Sequence, residues 1–523
     1  MKKEWKALID GRGMDNGEII DAICGNRGID DIAEFLNPCA DDLIDYKALH
    51  NIDKAFNLLD DTINLGGHIT IWADVDVDGA TSGAIMYRYL HNFTDNISIR
   101  INEGKKHGVA ECEDGFTTDL LIVVDSINKA SDYDKFTDKG IDVIVLDHHI
   151  LPDDPAEYSK IVFVSSAVDY PNPQLSGAGV TWKFCKYCDE MYLTDYADNL
   201  VDLSAVGLIA DMMDMSVPEN RYICKWGLSN IQNPALKKIN GTYNFDAQAV
   251  SFGIAPLVNA CNRLNCNELA MNVFIDDDEY SLKQTVKEMK SLKDQQNNII
   301  DNLMIEVNEQ AKTQLNRKVM TFVIEVETGV AGLLANKLMS IYQRPILVLK
   351  RDETEYIGSA RGCGIENFRK MLIDCGAKAE GHELACGCFI PIDEFDTVCE
   401  RLEKALADVE YEDKRVVDIQ FDIQQVNKPL IDNIKVLNFI SGTGFKPITV
   451  MITGITDYEV GDMSKGKHLK ITAGDTILLK WNYVGGFDEF DGRPFSVIGG
   501  LNNGYFGKTF YNQVIIDDYK IGE

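Results

Sequence analysis

Between residues 66 and 150 the chain alternates short apolar runs with amphipathic stretches. "GHITIWADV" predicts a strand. "TSGAIMYRYLHNF" predicts a helix, with Ala84, Ile85, Tyr89 and Leu90 near a 3.6-residue period. "DLLIVVDS" and "GIDVIVLDHH" are continuous runs rich in Ile and Val, the pattern of strands buried on both faces of a parallel sheet. Each run ends in acid: Asp74, Asp76 and Asp78 after the first, Asp125 after the second, Asp147 after the third. Open α/β sheets bind ligands outside the carboxyl ends of their strands, so three acidic strand ends predict one site.

Further along, "NLVDLSAVGLIADMMDM" predicts a helix carrying Asp211 and Asp214. Residues 281–314 are long, polar and free of Gly and Pro, as a helix connecting two lobes would be. Residues 318–350 return to strand and helix. A charged stretch, "DVEYEDKR", marks a boundary near 410. Beyond it, short strands with repeated Gly turns predict a small β-barrel of about 100 residues. The expected fold class is α/β with a parallel sheet. The expected organisation is an N-terminal segment (1–50), an α/β domain holding the acidic strand ends (51–280), a connecting helix (281–315), a smaller α/β domain (316–410) and the C-terminal barrel (411–523).

Composition changes this picture little. Hydrophobic residues make up 45% and charged residues 26% of 523, as in globular domains. No apolar run has the length of a membrane span, and "MKKEWKALIDGRGMD" lacks the apolar core of a signal peptide. Thirteen scattered cysteines read as reduced thiols, with Cys185–Cys188 and Cys386–Cys388 as buried pairs rather than zinc ligands. A cytoplasmic protein is expected. The net charge of -32 argues against broad non-specific binding of nucleic acid, yet leaves room for a local basic groove.

The strand-end acids, together with His148, His149 and Asp211, form a donor set of carboxylates with one or two imidazoles and no thiolate. Such a set suits Mn²⁺ or Mg²⁺. It holds more ligands than one ion needs. Two ions sharing a bridging carboxylate would use them, and two metals about 3.5–4 Å apart clamp both oxygens of a phosphoryl displacement. A lone DxD is usually a turn or a cap; the joint pattern is what carries the expectation.

"DVDVDGATS", "VVDS", "LDHH" and "AVGLIADMMDM" resemble the four successive motifs of the DHH phosphoesterases. The resemblance runs on, in order, through "PQLSGAGVTWKF", "VPENRYICKWGL" and "IAPLVNACNRL", and points to the RecJ branch. "GVAGLLANKLMSIYQRPILVL", "GSARG" and "EGHELACGCFI" resemble the associated DHHA1 domain; "ISGTGFKP" and "GKHLKI" resemble segments of the RecJ OB-fold domain. The resemblance implies a two-metal exonuclease that hydrolyses single-stranded DNA from the 5′ end, in repair, recombination or replication. It implies Asp74, Asp76, Asp78, Asp125, His148 and Asp211 as ligands of two Mn²⁺ or Mg²⁺ ions, with Asp125 bridging. His149 would face the scissile phosphate and Asp147 would orient the motif. Arg100, Asn259, Arg263, Ser359, Arg361 and His382 would contact substrate. Lys465, Lys467, Lys470 and Trp481 would contact nucleic acid on the barrel, with Tyr483 as a further stacking candidate. Thr81 and Ser82 would cap the helix after the acids. Single-strand-binding protein or a helicase would be the protein partner. Two rival readings are a phosphodiesterase for short oligonucleotides or cyclic dinucleotides, and a catalytically silent binding scaffold.

Overall fold

The computed structural model describes residues 3–522 except 105, 111, 113–114, 242–243, 412, 464–465, 482, 484, 491 and 507–508. The first strand, β1 (Lys3–Asp10), pairs far along the chain. The next five, β2 (Ile69–Ala73), β3 (Ile97–Ile101), β4 (Leu120–Val124), β5 (Asp142–Asp147) and β6 (Val162–Ser165), form a parallel sheet in the order β3-β2-β4-β5-β6. β2 and β4 are buried at every position, as their unbroken apolar runs require. The strand order reverses between β2 and β4, the switch point where such sheets leave a crevice.

Helix α1 (Val77–Leu90) follows β2 at once and packs on α2 (Gly177–Tyr192) and α3 (Val201–Ala210). Its start lies earlier than the apolar periodicity suggests. The carboxylate of Asp76 accepts from Gly79 N at 2.8 Å and is the cap. Thr81 and Ser82 therefore lie inside the helix; the Thr81 hydroxyl bonds back to Val77 O. α3 stops at Ala210, so Asp211 sits just past its end and Asp214 on the turn beyond. The Cys185 and Cys188 thiols are fully buried in α2, as expected of packing residues.

Helix α4 (Ala255–Arg263) leads to the 34-residue helix α5 (Glu279–Lys312), capped by Asp278. α5 enters a second sheet of β7 (Met320–Val323), β8 (Ile346–Arg351), β9 (Glu355–Arg361), β10 (Lys378–Gly381) and β11 (Ala385–Pro391), ordered β10-β11-β9-β8-β7. Helix α6 (Thr328–Tyr342) lies on β8 and β9.

The third sheet corrects one expectation. The strands foreseen beyond 411 are present as β12 (Asp413–Asp422), β13 (Val450–Ile455), β14 (Glu459–Met463), β15 (His468–Ala473), β16 (Thr476–Lys480), β17 (Phe495–Phe506) and β18 (Thr509–Ile521). Among the described residues they form one open sheet, ordered β1-β12-β13-β17-β18-β16-β15-β14, and no closed barrel. β1 pairs in parallel with β12 along its whole length, so the N-terminal segment completes this sheet rather than standing apart. Alternating patterns specify strands, but their pairing partners decide whether an edge closes or is extended. No helix among the described residues is long and apolar enough to cross a membrane.

Candidate metal centre and substrate cleft

The acids converge at the switch point. Carboxylate oxygens of Asp74, Asp76 and Asp125 lie within 4.8 Å of one another. So do ligand atoms of Asp78, His148 and Asp211, and those of Asp125, Asp147, His148 and His149. Asp125 and His148 link these groups: His148 Nε2 is 3.4 Å from Asp125 Oδ1, 3.4 Å from Asp211 Oδ2 and 4.0 Å from Asp78 Oδ2. Asp125 Oδ1 and His148 Nε2 are buried polar atoms without a hydrogen-bond partner. Orphaned lone pairs of this kind are costly unless a cation completes them, so the donor set fits divalent ions.

Two glycines make the approach possible. A Cβ on Gly177 would lie 2.4 Å from Asp125 Oδ1, and one on Gly207 would lie 2.2 Å from Asp78 Oδ1. Gly177 opens α2 within the "LSGAG" stretch, which thereby gains a physical role. The Asp78 carboxylate also accepts from Gly177 N (2.7 Å), Ser176 Oγ (2.9 Å) and Ala178 N (3.1 Å), and so anchors the N-terminus of α2. Asp125 itself has φ +61°, a left-handed conformation that turns its carboxylate toward the cluster.

The electrostatics are those of a crowded anionic site. Burial and the charges of Asp78, Asp76 and Asp74 push the Asp125 carboxyl well above its ordinary range. Burial, then Asp74 and Asp78, raise Asp76 to about 6. Burial, then Asp78 and Asp76, raise Asp211 to about 8. Burial lowers His148, which favours the neutral, ligating imidazole. His149 differs. Its Nδ1 lies 2.9 Å from Asp147 Oδ1, and this hydrogen bond raises it to about 9. The ring is half exposed and cationic at neutral pH. Asp147 is buried; its desolvation is outweighed by the bond and charge of His149, which hold it below the usual carboxylate value. A neighbour absent from the sequence expectations is His107, whose Nδ1 lies 2.8 Å from Asp74 Oδ2. Gly108 N also donates to Asp74 Oδ1.

These shifts give a signed expectation for the metal-free protein. Asp76, Asp211 and His149 all have raised folded-state values. Their stabilising contribution is complete below the unfolded values and is lost as pH rises through about 6, 8 and 9 respectively. Thermal unfolding in EDTA should therefore fall by about 5 °C or more between pH 5 and 8.5. The gap between Mn²⁺-loaded and EDTA-treated protein should widen over the same range. Asp211→Asn should flatten the upper part of the slope. A Tm in EDTA that is constant or rises with pH is the contrary result.

The substrate candidates separate into groups. Asn259 and Arg263 stand one turn apart on α4 and line a cleft of about 500 Å³ beside Asp211, with Met212 on the same wall. Ser359 and Arg361 alternate on β9 and so share a face, packed against Gly332 of α6. Arg361 donates to Asn336 Oδ1 at 2.7 Å, and its charge, after burial, lowers Arg263. A Cβ on Gly329 would lie 2.5 Å from Arg263 O, so the start of α6 abuts the end of α4. Arg100 stands instead on the edge strand β3, its guanidinium 4.9 Å from the Phe116 ring centre. His382 is exposed on the turn between β10 and β11. On the third sheet Lys467 is exposed, Lys470 lies on β15, and Trp481 packs edge-on against His468. Tyr483 is buried, with its hydroxyl bonded to Gly486 O and Glu489, and is a core residue rather than a stacking surface. Lys465 lies outside the described residues.

The DHH family, N-terminal domain, matches residues 68–208, the stretch that holds Asp74 through Asp147 and the two histidines. Over 506 residues the chain is 30% identical to a Bacillus subtilis protein named as an SPbeta prophage-derived single-strand DNA-specific exonuclease, YorK; the match covers 89% of this chain and 87% of that one. The chain belongs to the RecJ-like DHH exonuclease family. Bacillus subtilis RecJ, named as a single-stranded-DNA-specific exonuclease, is 25% identical over 84% of this chain and 58% of its own length. Among solved structures, Thermus thermophilus RecJ in complex with Mn²⁺ superposes with a TM-score of 0.77 at 22% identity, covering 99% of this chain and 79% of that one, and so shares the fold. A further solved structure, exonuclease RecJ bound to manganese, has a TM-score of 0.58 at 24% identity, over 69% of this chain and 96% of that one.

Proposed function

We propose that this protein is a metal-dependent exonuclease that hydrolyses phosphodiester bonds of single-stranded DNA from the 5′ end. The observation that carries the reading is the pairing of two acidic clusters through Asp125 and His148, with their facing atoms buried and unpartnered. Asp74, Asp76 and Asp125 would hold one ion, and Asp78, Asp125, His148 and Asp211 the other. Bound there, Mn²⁺ or Mg²⁺ would lower the pKa of a water nucleophile and take up charge on the phosphate. The side chains do the rest. His107 and Gly108 fix the Asp74 carboxylate, and the α2 N-terminus fixes that of Asp78. Asp147 orients His149 and keeps it charged, so that its free Nε2 presents a proton to a phosphate oxygen or to the departing 3′-oxygen. Arg263 lines the cleft and feels the charge of Arg361, which stands with Ser359 against Gly332; the two guanidiniums would supply planar donors for phosphate.

We read the second lobe as a DHHA1 domain and the third sheet as a nucleic-acid-binding module related to the OB fold. A cytoplasmic enzyme fits this chemistry. A single-strand-binding protein or helicase is the partner class suited to delivering DNA to so acidic a surface.

The test is a Mn²⁺-dependent digestion of 5′- and 3′-labelled DNA, comparing single-stranded, duplex and dinucleotide substrates. Stepwise loss from the 5′ end of single strands supports the reading. Cleavage of dinucleotides alone reassigns the enzyme to short substrates. Arg263→Ala should raise KM for single strands about 10–100-fold, the loss expected when a charged phosphate contact is removed.

A further inference from the structure

The chain carries 83 acidic residues against 51 basic ones, yet no carboxylate lines the cleft beside Asp211. Three cations do: Arg263 from α4, Lys293 from the connecting helix α5, and Lys446 from the segment that precedes β13. Among the described residues none of the three forms an ion pair with an acid. In so acidic a protein this wall carries no carboxylate, and among the described residues its charge has no ionic partner.

Both lysines are held in place. Lys293 Nζ donates to Gln296 Oε1 at 2.8 Å, and Gln296 is fully buried with its Nε2 unpartnered. Lys446 rides on a segment pinned to the catalytic domain just beyond Asp211. Met215 N donates to Thr443 O at 2.7 Å, Asp214 bridges Thr443, and Arg27 donates to Lys446 O at 2.6 Å. The Lys446 side chain remains exposed. Met212, Met213 and Leu333 give the same cleft apolar walls. Cations beside apolar surface, with acids excluded, fit a polyanion that also carries flat apolar rings.

We propose that Lys293 and Lys446 form a second phosphate subsite, contacting backbone phosphates of the single strand beyond the one at the scissile bond. This rests on the exonuclease reading and adds to it that the connecting helix and the C-terminal sheet are walls of the substrate cleft, not a detachable binding module. The strand is then gripped by all three lobes at once, and affinity grows with strand length until the lysines are reached.

The experiment measures binding of a labelled 12-nucleotide strand and of a dinucleotide to the full chain in EDTA, across a salt series, together with KM in Mn²⁺. Wild type, Lys446→Ala, Lys446→Arg and Lys293→Met are compared. Each neutral variant should raise KM for the 12-mer about 3–10-fold and lower the slope of log affinity against log salt by about 0.7, the value for one phosphate on a single strand. Lys446→Arg should keep the wild-type slope. The loss on the dinucleotide should be smaller than on the 12-mer. Unchanged slope and KM in Lys446→Ala, whose exposed site makes misfolding a poor explanation, overturns the proposal. Loss of inhibition by free mononucleotide with strand affinity intact also overturns it, in favour of a product site. A wild type that neither binds nor cuts the 12-mer refutes the exonuclease reading itself, and is seen without any lysine variant.

Discussion

Asp125→Asn is expected to lower kcat on single-stranded DNA on the order of 10³-fold or more and to remove tight Mn²⁺ binding, while the metal-free protein unfolds at an equal or higher temperature than wild type. The two halves of this outcome have one cause. Asp125 belongs to the cluster of Asp74 and Asp76, and its Oδ1 lies 3.4 Å from His148 Nε2 of the cluster with Asp78 and Asp211, so its loss would strip a ligand from each candidate ion position. In the metal-free protein the same carboxylate is buried among Asp74, Asp76, Asp78 and Asp147, and its charged form is unfavourable. Its folded-state value is raised, so the stability it contributes as a neutral acid is complete at low pH and is lost as pH rises. An amide that never ionises escapes that loss. Asparagine is the informative replacement because φ is +61° and Asn tolerates the left-handed region, whereas alanine there adds about 1–2 kcal/mol of strain. Calorimetry beside the nuclease assay separates lost chemistry from lost fold. Retained activity in Asp125→Asn would remove the shared carboxylate from the mechanism.

Lys183→Met is expected to destabilise the catalytic domain by about 3–5 kcal/mol. Lys183 is fully buried in α2 and pairs with the equally buried Glu219. Glu219 also accepts from Tyr170 Oη (2.8 Å), Asn172 Nδ2 (2.9 Å) and Ile44 N (3.1 Å). Burial lowers the Lys183 ammonium, and the charge and hydrogen bond of Glu219 oppose that shift. Removing the cation strands a carboxylate in the interior. Lys183→Met with Glu219→Gln should recover part of the loss, because no buried charge remains and the amide oxygen can still accept from Ile44 N and Tyr170 Oη. Denaturant unfolding of the two singles and the double measures the coupling; strictly additive losses would mean the pair contributes nothing beyond its members. The network ties α2, whose N-terminus holds Asp78, to the helix Pro218–Ser229 that follows Asp211 and Asp214. Its failure should therefore weaken Mn²⁺ affinity as well as stability.

The local parts of this protein are written in local patterns. Unbroken Ile/Val runs specify β2, β4 and β5, and the acids that end them mark the site, because a parallel sheet fixes where its carboxyl edge lies. A long polar stretch without Gly or Pro specifies α5 to within a few residues. The order of the motifs is enough to reveal the family. Other features needed the folded chain. Asp76 caps α1 although Thr81 and Ser82 are also capping types, because only Asp76 stands at the position where the helix begins. The glycines at 177 and 207 are needed because they meet carboxylates from distant segments. His107 joins Asp74, Lys446 joins Arg263 and Lys293, and β1 extends a sheet begun four hundred residues later, through contacts that have no sequence period. Periodicity records which face of an element is buried. Which elements share that burial is settled by packing and edge pairing across the whole molecule, and here those choices built the cleft.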